Sequence, residues 1–280
     1  MRLRELILES YDELLPSERK LADVVMQHRA NLASYSATEL ASLAGVSKAT
    51  AARFFRRLGY ASFSQFRSDA RAHPSAESPL FKFEEVAKLA GSGSSLVRHF
   101  SIDAQNLATT LQSLSHDEIK AAVAVLSGAQ RVWIVGYRNG YATAFYAHAL
   151  FSHARSNVFL LNDSAAKMAD LLVDAGANDV LFVIDFRRRT RLLAQLVGVA
   201  RQAGAKIVLL TCSPVSALAR PGDVILGCVT AGSAVFDSYV GPISIVNYLG
   251  ASLVARMRPN ARKRMERIER IHEALADLEE

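Results

Sequence analysis

Arg131-Val132-Trp133-Ile134-Val135 runs directly into Gly136-Tyr137-Arg138-Asn139-Gly140, and then into a helical pattern that passes Ala144 and His148. A short apolar run rich in β-branched residues, ended by a glycine turn and followed by a helix, is the repeating unit of a buried parallel sheet. The unit recurs. Asn157-Val158-Phe159-Leu160-Leu161, Val180-Leu181-Phe182-Val183-Ile184 and Ile207-Val208-Leu209-Leu210 repeat it with helical stretches between them, and Val224-Ile225-Leu226 follows after a short gap. Strands that are apolar on both faces need helices on both faces, so this half of the chain predicts an open, doubly wound α/β domain with a parallel sheet. Helices near 94–113 and 240–256 would flank it, and Arg258 to Glu280 reads as a charged helix.

Upstream, from Met1 to about Arg71, the pattern is one of short helices. Leu21, Val24, Val25 and Leu32 recur at helical spacing behind Pro16-Ser17-Glu18. Ser36-Ala37-Thr38-Glu39 has the form of a capping box, with Ser36 as N-cap and Glu39 reaching back. Gly45 ends the helix that carries Leu40, Ala41 and Ala44. Ser47 then caps a second helix that runs through Phe54 and Phe55 to Arg57, where Gly59 stops it. His73-Pro74-Ser75-Ala76-Glu77-Ser78-Pro79 reads as linker sequence. The organisation expected is an all-α domain over 1–77, a linker over 78–93, the α/β domain over 94–257 and a charged helix over 258–280. A chain of 280 residues, half of them apolar, has the length and the core material for two domains.

The segment Ala37 to Arg57 meets the steric demands of a helix-turn-helix. Ala41 is small where two helices must cross, Gly45 sits where the turn needs a positive φ, and Val46, Ala51 and Phe54 bury one face of the second helix. Ser47, Lys48, Ala49, Ala52, Arg53 and Arg56 remain on the outward face, the face a recognition helix presents to the major groove. Between Thr38 and Arg71 stand six Lys or Arg residues against two acids, Glu39 and Asp69. Arg53 has the forked donor geometry for a guanine edge. Lys48, Arg56 and Arg57 could equally hold phosphates, which gives affinity without sequence information. The same pattern also describes a solvated helical hairpin with a basic face.

Ser36-Ala37-Thr38-Glu39-Leu40-Ala41, Gly45-Val46-Ser47-Lys48-Ala49-Thr50, Arg53-Phe54 and Arg57-Leu58-Gly59-Tyr60 together resemble the N-terminal domain of RpiR/MurR-type regulators. Pro16-Ser17-Glu18-Arg19-Lys20-Leu21-Ala22 resembles the first helix of that family. The resemblance covers nearly the whole chain and is strongest in the first 70 residues. It implies a DNA-binding transcription regulator with a C-terminal sugar isomerase (SIS) domain, which in this family binds phosphosugars or related metabolites.

In an open α/β sheet ligands bind at the carboxyl ends of the strands, near the switch in strand order. Two such ends carry informative residues: Gly136, Arg138, Asn139 and Gly140 after the first strand, and Asp185, Arg187, Arg188 and Thr190 after the third. Both turns open helices whose amides can face an anion. SIS domains place Ser or Thr at both loops. Here Asp185, Arg187 and Arg188 stand where Ser, Ser and Gly are expected, Arg138 sits near the first loop's serine, and Thr190 alone keeps the hydroxyl pattern. Guanidinium groups clamp phosphate or carboxylate bidentately, so these residues are expected to bind a small anionic metabolite, a phosphosugar or another carbohydrate derivative. The alternative for Arg187-Arg188-Arg189 is a solvated or interfacial cluster with Asp185 neutralising part of it. Asp163-Ser164 and Asp237-Ser238-Tyr239 read as helix caps in preference to ligand contacts. Arg256, Arg258, Arg262, Lys263 and Arg264 form a further basic cluster, read as a solvated or helix-pairing face or as an accessory DNA contact.

The competing reading is a sugar-phosphate isomerase with an attached helical domain. Proton transfer next to a carbonyl needs a positioned base, usually Glu or His. No glutamate lies between Glu118 and Glu266, and the only histidines there are His148 and His153, so no enzyme is expected. No cofactor or metal is expected either. Cys212 and Cys228 lack CxxC spacing and read as buried thiols of a reducing compartment, and no stretch has a signal peptide or membrane span. A net charge of +6 suits a polyanion partner. The partners expected in the cytoplasm are an operator in double-stranded DNA, an anionic effector, and further copies of the chain in a homodimer or homotetramer, because two half-sites call for two recognition helices.

Overall fold

The computed structural model describes residues 6–7, 10–27, 35–72, 94–161, 165–187, 190–212, 216, 218–233 and 235–276. Leu32, the linker sequence from His73, Asp163-Ser164, Arg188 and Arg189 lie outside the described residues. The chain divides into two compact units, the first holding residues up to Val97 and the second most of the chain from Arg98 onward.

The first unit is helical. A 3₁₀ turn at Tyr11–Glu13 precedes α1 (Pro16–Gln27), α2 (Ala37–Leu43), α3 (Lys48–Arg57) and α4 (Phe63–Ala72). Both halves of the expected capping box form: Glu39 N donates to Ser36 Oγ at 3.2 Å, and Ser36 N donates to Glu39 Oε2 at 2.6 Å. Gly45 takes φ +63° and turns the chain between α2 and α3. Thr50 N donates to Ser47 Oγ at 3.1 Å, capping α3 as expected. Leu21, Val25, Leu40, Ala41, Ala51, Phe54 and Phe55 form the core, with Val46 half-buried at its edge. The docking of α4 was not anticipated from the sequence. Phe55 meets Phe66 at 4.6 Å and Phe63 at 5.0 Å between ring centroids, and this aromatic cluster holds α4 against α3.

In the second unit α5 (Ser94–Ser113), which belongs to it from Arg98 onward, and α6 (His116–Gly128) lead into β1 (Val132–Gly136), α7 (Gly140–Ala154), β2 (Val158–Leu160), α8 (Ala165–Leu172) and β3 (Val180–Asp185). Then come α9 (Arg191–Gln202), β4 (Lys206–Thr211), β5 (Val224–Gly227), α10 (Val240–Arg256) and α11 (Arg258–Leu275). All strand pairs are parallel and the spatial order is β2-β1-β3-β4-β5. Alternate residues serve opposite layers. Ile134, Phe182 and Leu210 pack with α6, α7 and α10, whereas Trp133, Leu181 and Leu209 pack with α8 and α9. Each such fully buried side chain is worth about 1.5–3 kcal/mol, which is why the strands read as unbroken apolar runs.

The order of strands reverses at β1 and β3, so their carboxyl ends flank the crevice where open sheets bind ligands. The charged C-terminal helix docks on this unit: Ala261 is buried and Arg264 Nε donates to Ser152 O. Cys212 and Cys228 are unbridged thiols just past β4 and β5, the first half-buried and the second buried. Among the described residues no helix is long and apolar enough to cross a membrane.

Candidate DNA interface and sensor site

On α3 the side chains of Thr50, Ala51, Phe54 and Phe55 face inward. Ser47, Lys48, Ala49, Arg53 and Arg56 are exposed and Ala52 is half-buried, so these six share the outward face. Ser47 Oγ both caps the helix and lies 2.9 Å from Thr50 Oγ1. Arg53 Nη2 donates to Thr50 Oγ1 at 3.4 Å, a weak tether that orients the guanidinium along the helix. Arg57 is placed differently. Its Nη1 donates to Glu13 O at 2.7 Å and its Nε lies 3.7 Å from Glu18 Oε2, a carboxylate that is itself buried. Arg57 therefore ties α3 to the chain before α1. The sequence contains both partners, but nothing in their spacing joins residues 44 positions apart.

At the sheet edge Gly136 and Gly140 have steric reasons to be glycine. A Cβ on Gly136 would lie 2.5 Å from Gly140 O, and one on Gly140 would lie 3.3 Å from Ile184 Cγ2. The close approach brings the β1–α7 turn onto β3. Arg138 holds φ +56° in this turn, a conformation that costs a non-glycine residue on the order of 1 kcal/mol and that recurs at functional sites. Gly140 N donates to Tyr137 O and Tyr141 N to Arg138 O, both at 3.0 Å, so two of the amides expected to face an anion are used within the turn. Thr143, one turn further, buries its hydroxyl with no hydrogen-bond partner. An orphan of this kind is what a bound ligand or water satisfies.

The β3–α9 loop departs from the sequence expectation. Asp185 is fully buried and accepts a 3.2 Å hydrogen bond from Thr211 Oγ1, so it faces the interior. Arg187 forms an ion pair with Asp237, Nε to Oδ2 3.0 Å, with both side chains only 12% exposed. The Nε–H is not aligned with that oxygen. The Asp237-Ser238-Tyr239 segment, read as a helix cap in preference to a ligand contact, gives α10 only a long 3.5 Å contact from Val240 N to Ser238 Oγ, while Asp237 turns to Arg187. Thr190 uses its hydroxyl to cap α9, accepting from Leu193 N at 3.3 Å. Phe186 stacks on Tyr239 at 5.1 Å, and the Asn139 side chain lies close to the Tyr239 hydroxyl. Burial pushes the Tyr239 pKa up, against the smaller opposing effect of Asn139.

Gly136, Asn139, Gly140, Arg187 and Tyr239 thus converge from three elements. Asp185 lies behind them, and Arg138 is exposed at the rim. Thr143 and Thr211 were not singled out from the sequence, and Asp237 and Tyr239 were read as a helix cap in preference to a ligand contact. Thr143 lies one turn along α7 from Gly140, whereas Thr211 and the Asp237–Tyr239 segment are brought to the turn only by the fold. His148 and His153 lie about 12 and 20 Å along α7 from Gly140, so neither reaches the turn.

A basic recognition helix in one unit and a ligand crevice in the other define a DNA-binding transcription regulator with a sensor domain. Residues 1–77 match the helix-turn-helix domain of the rpiR family, and residues 125–251 match the SIS domain. The HTH-type transcriptional regulator HexR of Pseudomonas aeruginosa is 29% identical over 80% of this chain and 78% of its own length. The sugar isomerase domain of an RpiR transcription factor from Sphaerobacter thermophilus is 26% identical, with a TM-score of 0.60 over 63% of this chain and 99% of that one. The Vibrio vulnificus NanR protein, solved with ManNAc-6P, has a TM-score of 0.69 over 98% of this chain and 99% of that one, at 18% identity. The chain thus joins a helix-turn-helix domain of the rpiR family to a SIS domain, and its curated relatives of similar length are HTH-type transcriptional regulators.

Proposed function

We propose that the protein binds its operator in the cytoplasm through Ser47, Lys48, Ala49, Ala52, Arg53 and Arg56 of α3. In this reading its SIS domain takes a small anionic carbohydrate derivative, a sugar phosphate being the first candidate, at the carboxyl ends of β1 and β3. Arg187 is the anion-binding group, with Gly136, Arg138, Asn139 and Gly140 beside it and Arg188 next in the chain. Asp185, Thr190 and Arg57 serve as structural supports.

The observation that carries the reading is the Arg187–Asp237 pair at the strand-order switch. It is a nearly desolvated guanidinium whose partner carboxylate sits on a connecting segment rather than on a strand. The full-length likeness to NanR, which was solved with ManNAc-6P, supports the choice of ligand class. The ligand is bound and not turned over: the α/β core carries no glutamate, and both of its histidines stand away from the turn. The protein acts as a symmetric dimer or tetramer so that two recognition helices meet two half-sites. The effector then shifts the balance between arrangements of those helices by its unequal affinity for them.

Two measurements test this. Selection from a random DNA pool should enrich a symmetric site, and failure to enrich any sequence overturns the DNA reading. A thermal-shift series with N-acetylmannosamine 6-phosphate, other hexose phosphates and their uncharged sugars should stabilise with the phosphates alone. A hit that binds the Arg187→Ala variant unchanged places the site elsewhere.

A further inference from the structure

Helix α5 is inverted. Among its described side chains the buried ones are polar, with Ile102 half-buried beside them: Asn106 donates to Ala231 O at 2.6 Å, and Thr110 Oγ1 accepts from Val229 N at 3.0 Å. The side chains it turns outward are apolar. Val97, Phe100, Leu107 and Leu111 are 68%, 64%, 41% and 76% exposed, and Ala104 between them is exposed as well. Their spacing is three, four, three and four residues, which is the seam of a helix that pairs with another helix. An amphipathic helix on the surface of a finished domain has the opposite arrangement.

From this inversion we infer that α5 is the interface between copies of this chain, with the α5 helices of two copies crossing at Ala104. The inference rests on the oligomeric reading above and locates the contact. The occupant is a second copy because the seam is self-complementary. Counted from Ala104, the large side chains fall at −7, −4, +3 and +7, so a twofold axis at the small residue sets large groups against large groups and leaves the closest approach to Ala104. The seam spans about 21 Å of helix. Beside it α5, α6 and α10 enclose a groove of about 380 Å³ lined by Leu107, Leu111, Ile119, Ile245 and Tyr248, the last 56% exposed. A knob from the second helix has a hole to enter there.

The exposed apolar groups of the seam and Tyr248 present on the order of 500 Å². A stable interface takes about 800 Å² from each partner, and the remainder is the polar rim that surrounds an apolar centre. The helix carries few charges to oppose pairing. Arg98, His99 and Asp103 are its only ionisable residues, and His99 Nε2 lies 3.4 Å from Asp103 Oδ2.

Sedimentation of the full chain at micromolar concentration tests the inference, with far-UV circular dichroism as the control for folding. The unmodified chain should sediment as a dimer or tetramer. Leu107→Arg combined with Leu111→Arg, or Phe100→Glu alone, should lower the assembly by one step while the fold is retained. The dissociation constant should rise at least about 30-fold, equivalent to roughly 2 kcal/mol. Ala104→Cys should give a reduction-sensitive covalent dimer under mild oxidation where the unmodified chain gives none. This arm leaves the seam otherwise native and remains decisive if the charged variants fail to fold. An assembly that survives the charged substitutions and does not cross-link through residue 104 overturns the α5 seam but leaves the oligomeric reading standing. A monomeric unmodified chain overturns both.

Discussion

Asp237→Asn distinguishes a carboxylate that competes for Arg187 from one that merely orients it. The two groups stand 3.0 Å apart and are each 12% exposed, so solvent screens them little. Breaking a desolvated pair of this kind costs about 2–5 kcal/mol. Asparagine keeps an acceptor at the position, which places the expected loss at the lower end, about 2 kcal/mol. That cost falls on the ligand-free protein, whose guanidinium has lost the Asp237 carboxylate. A phosphate or carboxylate ligand arriving at Arg187 no longer has to displace Asp237, so the same ~2 kcal/mol returns as affinity, roughly 30-fold in Kd. The variant should therefore melt below the parent without ligand and show a larger shift with it. The assay is titration calorimetry and thermal unfolding with N-acetylmannosamine 6-phosphate, run in parallel on Arg187→Ala, which should not bind. A ligand at about 100 times its Kd stabilises by roughly 2.7 kcal/mol, well within the range such a scan resolves. If Asp237→Asn binds the anion more weakly than the parent, Asp237 positions the arginine and the competition argument is wrong.

Three further outcomes are expected. In fluorescence anisotropy on a selected operator, Arg53→Ala should cost about 1–3 kcal/mol and relax specificity at one position, whereas Arg56→Ala should reduce the salt slope by about one. Arg57→Ala should appear instead in the unfolding of the first unit, at about 1 kcal/mol after discounting for its exposure, with the salt slope unchanged. Gly136→Ala pushes a methyl group into backbone at 2.5 Å, so it should destabilise the second unit by about 1–3 kcal/mol in urea titration and abolish ligand binding. Cys228 gives the pH dependence. Burial first, then Cys212 and Asp185, hold its thiol well above the usual 9.0. The folded state thus keeps its proton after the unfolded chain has lost it, so this stability is present below pH 9 and is lost as the pH rises beyond it. Cys228→Ala should flatten that alkaline decline in a pH series of unfolding curves.

The elements and their order follow from local composition. Strands buried on both faces must be apolar throughout, and helix ends must satisfy their own orphan amides, so β1, β3 and β4 and the caps at Ser36 and Ser47 were written in local composition. Gly45 could be read because a positive φ is a property of one residue and its neighbours. The partners of the charged groups were not local, and the tertiary structure decided them. The sequence placed Asp185 beside Arg187, but residue 185 ends a central strand whose side chain turns inward to Thr211, while Arg187 meets Asp237 fifty residues away. Arg57 likewise reads as one more basic residue on a recognition helix until the fold brings Glu13 and Glu18 to it. The inverted face of α5 was equally hidden, since its apolar spacing reads the same whether the stripe faces inward or outward. Periodicity records that a stripe must be buried, and only the packing of the other elements shows that this domain leaves the burial to something else.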